Sequence, residues 1–388
     1  MRFLHTADWH IGKQLNQYDL LEVQKDAFRQ IKAIAKKAKV DGIIVAGDLY
    51  DRAIPATRAI GAFDQMLKEL NIELGLPIYA IAGNHDGANR LNFARSWFGK
   101  NELYLNTQLA EAFTPIENDE CQVFLLPFFD PQDARIYYHE SIESGNLRTI
   151  NQAMQRVIAD MIKQFKPEKR HILVTHFNVQ GQDNQDYELT SETTSIVGGL
   201  KSIDSNLLTA FDYVALGHLH LWQASPNQKM RYSGSPVKFN TKEAKNKKGV
   251  YIVDVPKSGA IKYEFAEIKP LKDLIVIKAT YTDLITATFY KQYPHKGQAF
   301  FSIKILDRPQ VKNVRQNLEQ IYGDIVEIEY MPAKSTTEAM TKMVKRTQLS
   351  ETALIGQFYQ DVTKQTINEH QQQIIEDILV ELKREQEK

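Results

Sequence analysis

The run Gly42-Ile-Ile-Val-Ala-Gly-Asp-Leu-Tyr-Asp-Arg52 decides the fold. A β-branched stretch reads as a strand, and it stops on Gly47-Asp48, where polar residues gather. Before it, Leu20, Val23, Ala27, Ile31, Ile34 and Ala38 recur at helical spacing. After it, 57–70 reads as a helix and Pro77-Ile-Tyr-Ala-Ile-Ala82 as the next strand. Short apolar runs return at 3–7, 122–126, 171–175 and 213–216, with a long helical stretch over 147–165. Strands alternating with helices predict a layered α/β domain with a largely parallel core. The segment 230–255, punctuated by Gly, Ser and Pro, predicts an antiparallel flank.

The pattern restarts near 267–272. Strands are expected over 274–281, 299–306 and 325–330, with helical segments near 283–293 and 311–322, which makes a compact α+β unit. The Thr- and Lys-rich stretch 331–350 reads as a linker. Two helical stripes follow: Leu354, Phe358 and Val362, then Ile374, Ile375, Ile378, Leu379 and Leu382. Thr366-Ile-Asn-Glu369 has the spacing of a capping box at the start of the second. The expected organisation is therefore a main domain over 1–268, a small domain over 269–333, a linker over 334–349 and terminal helices over 350–388.

Of 388 residues, 43% are hydrophobic and 25% charged, which excludes disorder and collagen-like or coiled-coil arrays. Cys121 is the single cysteine, so disulfide frameworks, zinc knuckles and iron–sulfur clusters are excluded. Any transition-metal site must use His, Asp, Glu or Asn. Lys plus Arg number 48 against 48 Asp plus Glu, so net charge supplies no global attraction to nucleic acid, though a local basic surface remains compatible with it. No run of about 18 apolar residues occurs. The expectation is a soluble, cytoplasmic protein without a membrane partner.

Five polar signals lie at predicted strand ends: Asp8-Trp-His10, Gly47-Asp48-Leu-Tyr-Asp51-Arg52, Gly83-Asn84-His85-Asp86, Thr175-His176 and Gly217-His218-Leu-His220. Alone, each has a plain structural reading. Asp8 can cap a turn, Asp48 can follow a turn glycine, Asn84 and Asp86 can flank Gly83 and Gly87, and His10 or His176 can simply pack. Five in this order at core-strand ends are hard to explain as independent turns, because loops leaving the carboxyl ends of such strands meet in one crevice. Mixed imidazole, carboxylate and amide donors suit Mn²⁺, Fe²⁺ or Zn²⁺. Two such ions with a bridging aspartate generate hydroxide near neutral pH and stabilise in-line displacement at phosphorus.

This succession of motifs resembles that of the calcineurin-like metallophosphoesterases. Phe3-Leu-His-Thr-Ala-Asp-Trp-His-Ile-Gly12 and Tyr232-Ser-Gly-Ser-Pro-Val237 narrow the likeness to the SbcD family of bacterial nuclease subunits. The resemblance covers the whole chain, with specific metal motifs and a cap and tail that match in layout. It implies a layered α/β/β/α sandwich with a small α+β capping domain and C-terminal helices. It also implies that one metal takes Asp8, His10, Asp48 and His220 and the other Asp48, Asn84, His176 and His218, with Asp48 bridging. The cofactor implied is two Mn²⁺, with Mg²⁺, Fe²⁺ or Zn²⁺ also compatible. His85 would face the scissile phosphate and assist the leaving oxygen after hydroxide attack. Asp51 would orient His85, with Asp86 a second candidate for that support.

The activities implied are 3′→5′ exonuclease on double-stranded DNA ends, endonuclease on single strands, and ATP-controlled cleavage of hairpins and blocked ends. The implied partners are DNA and an SbcC-type ATPase whose coiled-coil base the C-terminal helices grip, in a heterotetramer containing a homodimer, serving DNA repair, recombination and replication. Lys238, Lys242, Lys245, Lys247 and Lys248, opposed within the run only by Glu243, read either as a solvated hairpin or as a phosphate-tracking strip. Lys13, Arg52, Arg90 and Arg95 are further DNA-contact candidates; for Arg52 a surface salt bridge is an equal reading. The same metal core also serves phosphoesterases acting on nucleotides or phosphoproteins. A non-catalytic DNA-end scaffold would have lost ligands, and the full set stands in this chain.

Overall fold

The predicted strands form two sheets packed face to face in the computed structural model, which describes residues 1–184, 202–331, 351–363 and 366–386. The longer strands are Arg2–Thr6 (β1), Gly42–Val45 (β2), Ile78–Ile81 (β3), Leu103–Asn106 (β4), Cys121–Leu126 (β5), Arg170–His176 (β6), Tyr213–Gly217 (β7), Met230–Tyr232 (β8), Lys248–Asp254 (β9) and Lys262–Ile268 (β10). The first sheet has the order β10-β9-β1-β2-β3-β4. The second runs β8-β7-β6-β5 and ends on the short strand Ile116–Glu117. From β1 to β4 all neighbours are parallel, while β9 pairs antiparallel with β1 and β10.

Strand alternation explains the layering. In β1, Phe3 points between the sheets with Ile44, Tyr79, Val123, Val174 and Tyr213, whereas Leu4 joins the outer core under the helices. Helices Leu21–Ala38 (α1) and Thr57–Leu67 (α2) cover the first sheet. Pro131–Tyr138 (α3) and Ile150–Ile162 (α4) cover the second. The result is the expected α/β/β/α sandwich.

The flank 230–255 differs from expectation in one half. β9 is antiparallel, but β8 pairs parallel with β7. The connection over 218–229 carries the Gly-His-Leu-His loop and a 3-10 turn at Trp222–Ala224, returning the chain to the starting end of the sheet before it pairs. The helix expected over 57–70 ends at Leu67 and continues as a π-helical turn, Lys68–Glu73. The helix expected over 283–293 is two short ones, Tyr281–Ile285 and Ala287–Tyr290, joined at Thr286, whose backbone is extended.

Asp273–Ala279 (β11), Ala299–Ile305 (β12) and Asp324–Tyr330 (β13) form a three-stranded sheet with the helix Val314–Tyr322 (α5). Residues 1–304 and 311–329 belong to one compact unit. Within it, Leu274, Phe300 and Val326 join the outer core beside α1. Ile305–Gln310 and the described residues from Tyr330 onward form a second unit. There the helices Glu351–Thr363 (α6) and Glu369–Gln386 (α7) leave Leu354, Phe358, Ile374 and Ile378 exposed. The start of α7 corrects the expected cap: Asn368, not Thr366, is the N-cap. Its side chain accepts the Gln371 N–H at 2.9 Å, and Gln371 Oε1 reciprocates to the Asn368 N–H at 3.1 Å. The expected linker over 334–349 lies outside the described residues. Among the described residues, no helix is long and apolar enough to cross a membrane.

Candidate metal centre

All five signals come from the carboxyl ends of parallel strands, three in the first sheet and two in the second. Their loops lock together through backbone contacts. Asp8 N–H donates to Gly47 O at 3.0 Å, His10 N–H to Asp48 O at 2.9 Å and Ile11 N–H to Leu49 O at 3.0 Å. Trp9, between the two candidate ligands, turns into the core against Phe28 and Phe63 and so aims its neighbours the other way. Asp8, His10, Asp48 and His218 all have positive φ, an uncommon conformation for residues with side chains that concentrates at functional sites. Two motif glycines are explained by close approach. A Cβ at Gly83 would lie 2.2 Å from Asp48 Oδ1, and one at Gly217 would lie 1.9 Å from Ala46 O.

The side chains converge as two overlapping groups. Asp48 Oδ2 lies 3.4 Å from His10 Nε2 and 3.2 Å from His176 Nε2, between the two groups. On one side, His10 Nε2 and His220 Nε2 face each other at 3.1 Å, and Asp8, His10 and His220 offer donor atoms within 4.8 Å of one another. On the other, Asn84 Oδ1 lies 3.1 Å from His176 Nε2 and 3.0 Å from His218 Nδ1. His176 Nδ1 is occupied by Ala46 O at 2.7 Å, which turns Nε2 toward the carboxylates.

This cluster demands positive charge. Asp8, His10, Asp48, His176 and His220 are buried, and Asp8 Oδ2 has no hydrogen-bond partner among the described residues. Burial opposes protonation of His176, yet Asp48 and Asp8 hold its pKa up to about 9. Burial likewise lifts Asp8 to about 6, against the pull of His176 and His220. Two buried carboxylates thus favour positive charge in the space between them and the imidazoles. A nitrogen-and-oxygen donor set with an unsatisfied buried carboxylate oxygen fits divalent cations.

His85 is half-buried, with its ring 4.8 Å from that of His10. Its backbone N–H donates to Asp48 Oδ1 at 2.9 Å. Its Nδ1 bonds the Asp51 backbone carbonyl at 3.0 Å, while the Asp51 carboxylate, with an oxygen within 4.8 Å of ring nitrogens of His10 and His85, pairs with Lys13 Nζ at 2.8 Å. The Asp86 carboxylate is committed to backbone donors. It accepts the N–H groups of Leu49, Tyr50 and Gly83 at 2.9–3.0 Å, tying two loops together.

The basic candidates divide sharply. Arg52, Arg90, Lys242, Lys245 and Lys247 are exposed, and Lys247 pairs with Glu267. Arg95 braces the backbone at Leu105 and the Asn106 side chain. Lys238 is held by Asp273, and Lys248 is buried against His220 O, Ser235 Oγ and Glu243. A residue inside the protein cannot track phosphates, so the exposed strip reduces to Lys242, Lys245 and Lys247.

Sequence reasoning misses two buried polar residues. In the sequence Glu243 is only a charge opposing lysines, but its Oε1 meets His220 Nδ1 at 3.2 Å. Burial would raise its pKa, and Lys248 and His220 instead hold it below the usual carboxylate range. Gln24 donates to Trp9 O and His10 O and accepts from Gly12 N–H, which pins the first loop. Its signal is present in the chain: a polar residue set among Leu20, Val23 and Ala27 on the apolar stripe of α1.

Residues 1–221 match the calcineurin-like phosphoesterase family, and residues 270–363 match the type 5 capsule protein repressor C-terminal domain. Over 379 residues the chain is 33% identical to the SbcD subunit of the SbcCD nuclease from Staphylococcus epidermidis, with 98% of each chain covered. The convergent donor set and these matches have one common reading: the chain belongs to the SbcD family of calcineurin-like phosphoesterases and is a metal-dependent phosphodiesterase.

Proposed function

We propose that this chain is a DNA nuclease subunit that uses two Mn²⁺ ions, acting as a 3′→5′ exonuclease on double-stranded ends and an endonuclease on single strands and hairpins. The observation that carries the reading is the position of Asp48 Oδ2 between two complete donor groups. Asp8, His10, Asp48 and His220 would hold one ion, and Asp48, Asn84, His176 and His218 the other. Such ions supply Lewis acidity for the attacking water and for charge developing on the phosphate. The protein contributes the rest. With Nδ1 committed to the Asp51 carbonyl, His85 presents Nε2 as the atom that exchanges a proton with the leaving oxygen. Arg52, Arg90, Lys242, Lys245 and Lys247 supply sequence-independent phosphate contacts, while Lys13, Lys238 and Lys248 brace the loops around them.

Residues 269–333 act in this reading as a cap limiting which DNA shapes reach the metals. The 350–388 helices dock an SbcC-type ATPase, supported by exposed Leu354, Phe358, Ile374 and Ile378. A homodimer within a heterotetramer is supported by a second exposed apolar group. Phe93 and Trp97 are 82% and 78% exposed, and Ile54 lies beside the Gly87–Ala53 contact that leads into their segment. The setting is cytoplasmic DNA repair and recombination.

The test is cleavage of 3′- and 5′-labelled hairpin DNA with Mn²⁺, with and without the ATPase partner. The expected result is stepwise removal from 3′ ends by the subunit alone and hairpin opening with partner and ATP. Hydrolysis of a small aryl phosphodiester with intact DNA under the same conditions would overturn the reading.

A further inference from the structure

Behind His220 lies a closed polar network that the metal ligands alone do not explain. Glu243 is wholly buried. Its Oε1 meets His220 Nδ1 at 3.2 Å and Asn240 Nδ2 at 2.7 Å. Its Oε2 accepts from the Phe239 N–H at 3.3 Å and from Lys248 Nζ at 2.5 Å. Lys248 Nζ in turn donates to His220 O and Ser235 Oγ, each at 2.8 Å. The ammonium therefore has three acceptors for its three protons, and both carboxylate oxygens are filled.

Burying an ion pair gives little net stability, since desolvation offsets the attraction. What this pair does achieve is to hold one residue, His220, at two points: its ring through Nδ1 and its backbone through the carbonyl. A carboxylate on Nδ1 keeps the proton there and leaves the Nε2 lone pair facing His10 and Asp8. Phe239 walls the same imidazoles, 5.3 Å from the His10 ring and 5.5 Å from the His220 ring.

We infer that Glu243, locked by Lys248, is a positioning residue that fixes the tautomer and aim of His220, and so sets the affinity of the metal position shared by Asp8, His10, Asp48 and His220. The second position, built on Asn84, His176 and His218, does not depend on it. This rests on the two-ion reading above and adds an asymmetry to it.

The experiment is calorimetric Mn²⁺ titration of the metal-stripped full chain, with thermal unfolding of each variant alongside. Wild type is expected to bind two ions; failure to do so sinks the two-ion reading itself. In Glu243→Ala one of the two is expected to weaken about 10–100-fold while the other changes less than about threefold. Glu243→Gln, which keeps an acceptor oxygen for Nδ1–H, is expected to lose less than Glu243→Ala and serves alone if the alanine variant does not fold. Wild-type affinity at both positions in the folded variants overturns the inference. Equal weakening at both positions overturns it as well, since that is the signature of general loosening.

Discussion

The strand-end loops and the segment 238–248 are both short, charged stretches, and they behave in opposite ways. In the loops, Asp8, His10, Asp48, Asn84, His176, His218 and His220 all turn to one point, because motif glycines such as Gly83 and Gly217 let backbones approach. In the lysine segment, residues of one type part company. Lys247 sits at the surface with Glu267, while its neighbour Lys248 is inside with Glu243. The lesson concerns partners: a charge goes where its hydrogen bonds can be completed, and sequence spacing reveals this only when strand ends impose the geometry.

That contrast can be broken at several points. The largest effect belongs to Asp48→Ala, which should leave both metal positions empty by elemental analysis and reduce turnover to background. Retention of either ion at full occupancy would deny its place between the groups. Next, His85→Ala should keep both ions and DNA affinity while turnover drops about 10²–10⁴-fold, the usual worth of a proton-transfer group. Normal turnover in that variant would remove the proton-exchange role.

Inside the lysine segment the effects move from chemistry to folding. Lys248→Met leaves Glu243 buried without its cation and should cost about 3–5 kcal/mol in denaturant unfolding. Lys245→Ala, a few residues away and exposed, should change stability by less than about 0.5 kcal/mol. If it touches phosphate, the slope of log affinity against log salt should shrink by about one. Similar stability losses in the two lysine variants would erase the distinction between them.

Most of the sandwich is legible because buried strands and amphipathic helices announce themselves by period, and the candidate metal residues because their motif glycines and imidazoles fall at strand ends. What stays hidden is set by partners the sequence does not display. His85 Nδ1 bonds the main-chain carbonyl of Asp51, and every residue has one of those, so the sequence points to the residue but not to the atom that holds the ring. Asn368 caps α7 with Gln371, yet Thr366 and Glu369 have the same spacing, so the pattern alone does not choose between them. Glu243 looks like a neutralising charge among lysines because burial, not charge count, makes it a partner of His220. The parallel pairing of β8 depends on a loop that recrosses the sheet, which strand propensity cannot register.

The place of β1 has a consequence for how the molecule is made. This strand lies between β2 and β9, with Leu4 opposite both Ile43 and Ile252. A growing chain that has passed the Asp8 and Asp48 loops still has one open edge on its earliest strand. At about 5–20 residues per second, it waits on the order of tens of seconds before β9 emerges from the ribosome. During that interval His176, His218 and His220 are added to the chain, all of them before residue 248. The whole donor set has therefore been made before the strand that closes the open edge of β1.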